Sequence, residues 1–414
     1  MTPAAPEPLA AQALKAHPSE THPSQSPSHT QPRETRPTAT RRTPGDVPWI
    51  SWARIVAIVG VVAIHVCSHL ILEWGEISAK LWHFGNLLES ASRFSVPVFV
   101  MVSGATLLAP RPGETLRDFY LRRASRIAIP LVVWTCFFLV LDAWSHGREV
   151  TAYTFVQGFL WGRPYYHLYF LYVVAGLYLI TPFLRVFVAN ADRRLLVAAS
   201  AICIGLASAD KVQHTFMGGG GFNAFTYFIP FIGYYLAGYV VATTRLPAPR
   251  KVVALWSAGI FVAAVLVTHM GTWWLMAQTG VQRGRLLYEY YSPPTIAAAL
   301  AMTLLLRAVF GDRAGAGIWL AAWNPASTSF ARRARPHRQG RVDAPGVRRV
   351  ADLTLGVFLL HPIPLELLVR RNQPVFSSAY VDMAFHVGVI VALLVGCALV
   401  TLVVRQIPLL RRLV

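Results

Sequence analysis

The sequence predicts an all-α fold: a polytopic membrane helical bundle of about ten transmembrane helices. Three observations carry this. Of 414 residues, 55% are hydrophobic and 14% charged, against about 25% charged in soluble domains. Ten apolar runs recur along the chain, at roughly 49–72, 94–109, 127–145, 168–189, 195–210, 222–242, 252–270, 295–310, 351–369 and 381–404, most of them near the length of a helical crossing. Lys and Arg are distributed unevenly about those runs. With the N-terminal tail placed in the cytoplasm, twenty-eight of the 38 fall on its side, nine on the opposite side, and Arg54 lies inside the first run. That bias fits an even number of spans with both termini cytoplasmic. It also explains most of the net charge of +19, so no nucleic-acid partner is required.

Residues 1–48 are rich in Pro, Ser, Thr and Ala. Such a segment buries too little apolar surface to offset its ordering entropy and reads as a disordered cytoplasmic tail. It is too long and polar for a secretory leader, so the first span is expected to stay uncleaved. His17, His22 and His29 are scattered in it without metal-ligand spacing.

The first span carries Arg54 and His65, eleven residues apart. That separation is three helical turns plus roughly 20°, so both side chains leave from one face, about 16 Å apart in depth. An ionisable group near mid-bilayer is costly unless it lines a polar cavity or has a partner. The alternatives are a functional pair, or a snorkelling arginine with a histidine satisfied by a neighbouring helix. His69 lies one turn beyond His65. The second span begins at Arg93 and holds Ser103; the third is preceded by Arg122, Arg123 and Arg126 and ends near Asp142. Paired guanidinium hydrogen bonds suit phosphate groups, although positive-inside anchoring also explains such a cluster.

The aromatic band from Trp161 to Phe170, with His167 inside it, opens the fourth span, and Trp273, Trp274, Tyr288, Tyr290 and Tyr291 form another on the same outer side. Both read as interfacial belts or as sugar-stacking surfaces. Gly218 to Gly221 read as a flexible connection. The arginine-rich stretch 321–350 reads as a basic cytoplasmic loop drawn to anionic lipid. His361 sits near the middle of the ninth span, and residues 406–414 form a short cytoplasmic tail. Cys67, Cys136, Cys203 and Cys397 all fall in apolar runs and read as small buried hydrophobes. No metal site is expected.

Taken together, these segments resemble the acyltransferase-3 family of bacterial membrane acyltransferases, over roughly residues 46–405. Arg54 and His65 match the family's Arg-(ten residues)-His element. Arg93-Phe-Ser-Val96-Pro97-Val-Phe99 followed by Ser103-Gly104 is similar to its second-span segment. Arg122-Arg123-Ala-Ser-Arg126 through Pro130 is similar to its basic third-span start. Gly356-Val-Phe-Leu-Leu-His361-Pro362 is similar to its ninth-span motif. His167-Leu-Tyr-Phe-Leu with Leu177 to Pro182 resembles the branch that includes the enterobacterial common antigen O-acetyltransferase. Three positions depart from the pattern: Ser51 where an acid is frequent, Tyr169 where Trp is usual and Phe358 where Tyr is usual. The span-nine hydroxyl is therefore dispensable here. No esterase-like domain follows the tenth span, so the membrane domain or a partner is expected to complete the transfer.

The resemblance implies an acetyl-CoA-dependent O-acetyltransferase in the bacterial cytoplasmic (inner) membrane. It would move an acyl group from cytoplasmic acyl-CoA to a hydroxyl of an envelope glycan or lipid-linked sugar, with no permanently bound cofactor. His65 is the expected base, since imidazole titrates near neutral pH; an acyl-histidine intermediate is the variant. Arg54, Arg122, Arg123 and Arg126 are the expected acyl-CoA ligands. His69, Arg93, Ser103, His167 and His361 are expected at the acceptor or in the pocket. The rival class is a secondary transporter or glycolipid flippase with His65 as a proton site, although the paired, interrupted halves common in transporters are not visible.

Overall fold

The computed structural model describes residues 47–109, 113–162, 164–218, 222–311, 345–370, 376–408 and 410–414. Every regular element among them is helical. In chain order they are α1 (Pro48–Leu72), α2 (Ala79–Ser92), α3 (Ser95–Leu107), α4 (Leu116–Ser145), α5 (Ala152–Trp161), α6 (Tyr169–Asn190) and α7 (Arg193–Met217). They continue as α8 (Ile232–Thr243), α9 (Arg250–Thr279), the short α10 (Val281–Gly284), α11 (Pro293–Phe310), α12 (Pro345–Asp352), α13 (Thr354–Leu360) and α14 (Ala379–Val404). A π-helical segment, Leu365–Arg370, lies between α13 and α14.

Eight of these segments are long and apolar enough to cross a membrane, and a ninth apolar helix, Ile229–Thr243, is shorter. All ten predicted runs are helical, but two are too short to cross alone. The run at 94–109 is the 13-residue α3, and the run at 222–242 is α8 with its leading turn. Short helices are tolerated at membrane depth where protein covers their ends. The third run starts earlier than its apolar stretch, because Thr115 caps α4 by accepting the Asp118 N–H at 3.1 Å. Arg122, Arg123 and Arg126 are therefore helical. Of the basic stretch 321–350, residues up to 344 lie outside the described set, and from Pro345 the chain is helical rather than a loop. The tail up to residue 46 and Gly219 to Gly221 also lie outside it; Gly218 ends α7 with φ 77°, a conformation that favours glycine.

Lipid offers no hydrogen bonds, so hydroxyls in the spans are satisfied by their own helices. Thr181, Thr268, Thr303 and Thr401 each donate to the carbonyl four residues back. Arginines do the same for helix ends: Arg185 donates to the Leu107 carbonyl at 2.8 Å, Arg250 to Ala308 at 2.8 Å and Arg405 to Asp352 at 2.6 Å. Part of the positive excess at that end of the bundle thus satisfies C-terminal carbonyls that have no intrahelical donor.

The bundle is built around α1, which packs against α2, α3, α11, α12, α13 and α14. Small residues let the neighbours close in. A Cβ on Gly60 would strike the Ser95 hydroxyl. Between α3 and α8 the approach is reciprocal: a Cβ on Gly104 would strike the Tyr235 carbonyl, and one on Gly238 the Met101 carbonyl. α1 is thereby held at the centre, with Arg54 and His65 on it.

Candidate active site

His65 meets His361. Its Nδ1 lies 2.7 Å from His361 Nε2, and the two rings are within 7° of parallel. His361 is fully buried, and its Nδ1 is 2.9 Å from the Val357 carbonyl oxygen. A carbonyl only accepts, so His361 Nδ1 carries the hydrogen and its Nε2 offers a lone pair. His65 Nδ1 must then donate to it. With both rings neutral, the basic nitrogen of His65 is Nε2.

The chain positions His361 through a break. Pro362 has no N–H, so the Phe358 carbonyl loses its intrahelical donor, and α13 gives way to the π-helical turn. Such turns concentrate at functional sites. This one delivers Glu366 and Arg370 as an ion pair. Arg370 Nη2 donates to the His65 carbonyl at 3.0 Å, and its guanidinium lies 5.6 Å over the Tyr166 ring. The same proline chemistry recurs nearby. Pro130 and Pro182, inside α4 and α6, withdraw donors from the carbonyls of Arg126 and Tyr178, both beside the second cluster described below.

His65 lines a small cavity together with His167, Tyr169, Tyr290 and Phe358. His167 is 1% exposed, and its ring centre is 6.4 Å from that of His65 and 5.7 Å from that of His361. Arg93 acts electrostatically on His65. It is also ion-paired with Glu89 and lies 4.7 Å over the Tyr288 ring. Glu89 is 1% exposed; a charge that deep persists only when paired.

One turn along α1, His69 faces His386, with Nε2 atoms 3.3 Å apart. His386 Nδ1 in turn donates to the Asp382 carbonyl at 2.8 Å. Among the described residues no group of three or more His, Cys, Asp or Glu is arranged to hold a metal ion.

Toward the N-terminal end of α1 lies the second cluster. Arg54 is within electrostatic reach of Tyr178, Asp352, Arg126 and Arg348. Tyr178 is likewise within reach of Arg123, Arg54 and Arg126. Arg123 is buried, with its guanidinium 5.6 Å from the Phe119 ring and 5.7 Å from Tyr178. Arg122 departs from this group: it is exposed and bonds Glu114 at 2.7 Å, a carboxylate shared with Arg185 at 2.8 Å.

The structure therefore brings together His65, His167 and His361 at one point, with Arg93 and His69 adjacent. It gathers Arg54, Arg123 and Arg126 at another. Ser103 joins neither, because its hydroxyl donates to the Phe99 carbonyl at 2.9 Å. Asp142, near the end of α4, pairs with the exposed Arg148. Four residues at the site carry no forecast from sequence: Glu89, Glu366, Arg370 and His386. His386 was detectable as an imidazole inside a strongly apolar run. Glu89 was not, because α2 is not apolar enough to register as a span.

A family model described as an acyltransferase domain, acyltransferase-3, matches residues 47–405. YfiQ of Bacillus subtilis (strain 168), named as a membrane-bound acyltransferase, is 24% identical over 191 residues, covering 45% of this chain and 52% of that protein. The chain thus spans about half the length of that relative. No solved structure matches it. The fold and site define a multi-pass membrane protein organised around a central histidine pair. With residues 47–405 matched, the chain belongs to the acyltransferase-3 family.

Proposed function

We infer that the protein is an integral membrane O-acetyltransferase that moves an acetyl group from cytoplasmic acetyl-CoA to a hydroxyl of an envelope glycan or lipid-linked sugar. The observation that carries this reading is the tautomer of His65. Its Nδ1–H is committed to His361, so Nε2 is left as a base on the wall of a small cavity. Acyl transfer needs such a base: it takes the hydroxyl proton as oxygen attacks the thioester carbon, and returns the proton to the departing thiolate. Arg54, Arg123 and Arg126, gathered around Tyr178, supply cationic donors for the phosphates of coenzyme A. In this reading that end of the bundle faces the cytoplasm of a bacterial cell, with both termini on the same side of its inner membrane.

The test is thiol release from acetyl-CoA by the purified protein in lipid, with envelope glycans as acceptors, for the native chain and for His65→Ala. The reading requires acetyl transfer that His65→Ala abolishes while still inserting and accumulating. Near-normal transfer by a well-accumulated His65→Ala protein removes the base. Absence of any thiol release, with protons moving across the vesicle membrane instead, favours a transporter.

A further inference from the structure

His167 is a buried titratable side chain that the reading above does not use. It stands at the turn leading into α6, and neither of its ring nitrogens has a hydrogen-bond partner among the described residues. Its flanks are occupied by rings without in-plane donors: Phe138 at 4.8 Å and Phe358 at 5.3 Å between centres. A neutral imidazole has one donor and one acceptor, and buried polar groups in folded proteins are almost always bonded. Leaving one unbonded costs free energy. The ring lines the cavity that His65 also lines, so an occupant of that cavity is placed to supply the missing partners.

The chemistry of the cavity describes the occupant. The ring centres of His65 and His167 are 6.4 Å apart, so one small group can lie within about 2.7–3.2 Å of a nitrogen on each ring. Apart from the two imidazoles, Tyr169 and Tyr290, the walls are apolar: Val61, Ile64, Val96, Phe170 and Phe358. The space has room for only a few non-hydrogen atoms, far less than pockets for drug-sized ligands. The occupant is therefore small, apolar at one end, and carries a carbonyl or hydroxyl at the other.

We propose that this cavity is the acyl chamber, that it takes short-chain acyl thioesters, and that His167 is a catalytic residue whose ring N–H donates to the acyl carbonyl oxygen. The proposal rests on the acyl-transfer reading. The acceptor hydroxyl gives its proton to His65 Nε2 as its oxygen bonds to the carbonyl carbon. The carbonyl oxygen gains negative charge and is held by His167. Collapse re-forms the carbonyl, breaks the C–S bond, and returns the proton from His65 to the coenzyme A thiolate. Acyl-CoA and alcohol become ester and thiol, and no other reactant is consumed. A donor aimed at the developing oxyanion is worth about 10²–10³ in turnover.

Infrared difference spectroscopy with carbonyl-labelled acetyl-CoA reads this contact directly and needs no acceptor. The native chain should shift the bound thioester carbonyl stretch to lower frequency. His167→Met should abolish that shift, bind acetyl-CoA with unchanged affinity and lower kcat about 10²–10³-fold. His167→Gln, of similar shape but with an amide donor, should restore part of both. A shift and a kcat retained by His167→Met overturn the proposal, as does equal loss in Met and Gln variants that both bind acetyl-CoA. The two readings fail differently. If the native chain does not bind acetyl-CoA, the acyl-transfer reading falls and this proposal with it. If it binds and His65→Ala is inactive while His167→Met is not, only the role of His167 falls.

Discussion

His65 and His361 lie 296 positions apart in sequence and share a 2.7 Å hydrogen bond at the centre of the bundle. Its direction is set from outside the pair, by the Val357 carbonyl that holds the His361 hydrogen. A main-chain group on α13 thus decides which nitrogen of a side chain on α1 is basic. The Asp382 carbonyl plays the same part for His386 opposite His69.

In the acyl-transfer reading His361 is accordingly a positioning residue. Replacing it with Phe removes the acceptor for His65 Nδ1–H and frees the ring to adopt either tautomer. We expect kcat to fall by about 10²-fold or more, by analogy with the tautomer loss in Ser-His-Asp enzymes, with the acetyl-CoA KM little changed. His361→Gln keeps an acceptor and should recover part of the rate. Equal activity in the Phe and Gln variants would show that the hydrogen bond does not govern catalysis.

The arginines should separate into two groups. Arg123→Ala or Arg126→Ala should raise the acetyl-CoA KM about ten- to a hundredfold, the loss of one charge-assisted contact worth about 1.5–3 kcal/mol. Arg122→Ala should leave it within about twofold, since Arg122 is bonded to Glu114 and stands apart from the group around Tyr178, so no charge-assisted contact to the donor is lost. CoA titrations in which all three variants overlay the native chain would reduce the cluster to a topology signal.

Glu89 and Arg93 form a buried pair, and removing one partner strands the other. Glu89→Ala should lower stability by about 3–5 kcal/mol, seen as poor accumulation and a lower melting temperature in detergent. Glu89→Gln combined with Arg93→Met leaves no unpaired charge and should recover much of the loss. If Glu89→Ala melts like the native chain, the pair contributes nothing to the fold.

Sidedness is open to labelling. In a background lacking the four free cysteines, single cysteines beside Arg126 and beside Tyr166 should react with an impermeant thiol reagent from opposite faces, compared in spheroplasts and inverted vesicles. Reaction of both from one face would overturn the proposed path from a cytoplasmic donor to an outer acceptor.

Much of the fold was legible because lipid imposes a simple rule: a spanning segment must be apolar and satisfy its own backbone. All ten apolar runs are helices for that reason. The face shared by Arg54 and His65 was also legible, since it depends only on helical period. What could not be read was which helices meet. The partners of His65, His69 and Arg93 are His361, His386 and Glu89; two of these come from the far end of the chain and the third from a helix too polar to stand out. Arg122 and Ser103 stand outside both clusters for a related reason. Each found a nearer partner, in Glu114 and in the Phe99 carbonyl, and local bonds of that kind do not register in spacing.

α1 has no proline after its first turn and runs unbroken from Pro48 to Leu72. It therefore works as a ruler. Arg54 and His65 cannot change their separation of about 16 Å without breaking the helix, and helices pack against it along its length. On the acyl-CoA reading, a donor gripped by its phosphates at one mark would have to reach the other with its thioester. Coenzyme A analogues with a longer or shorter arm would present the acyl group to the wrong turn, and minimal thioesters lacking the nucleotide would arrive with nothing to hold them in register. Selection for the whole carrier would then rest on length as much as on charge.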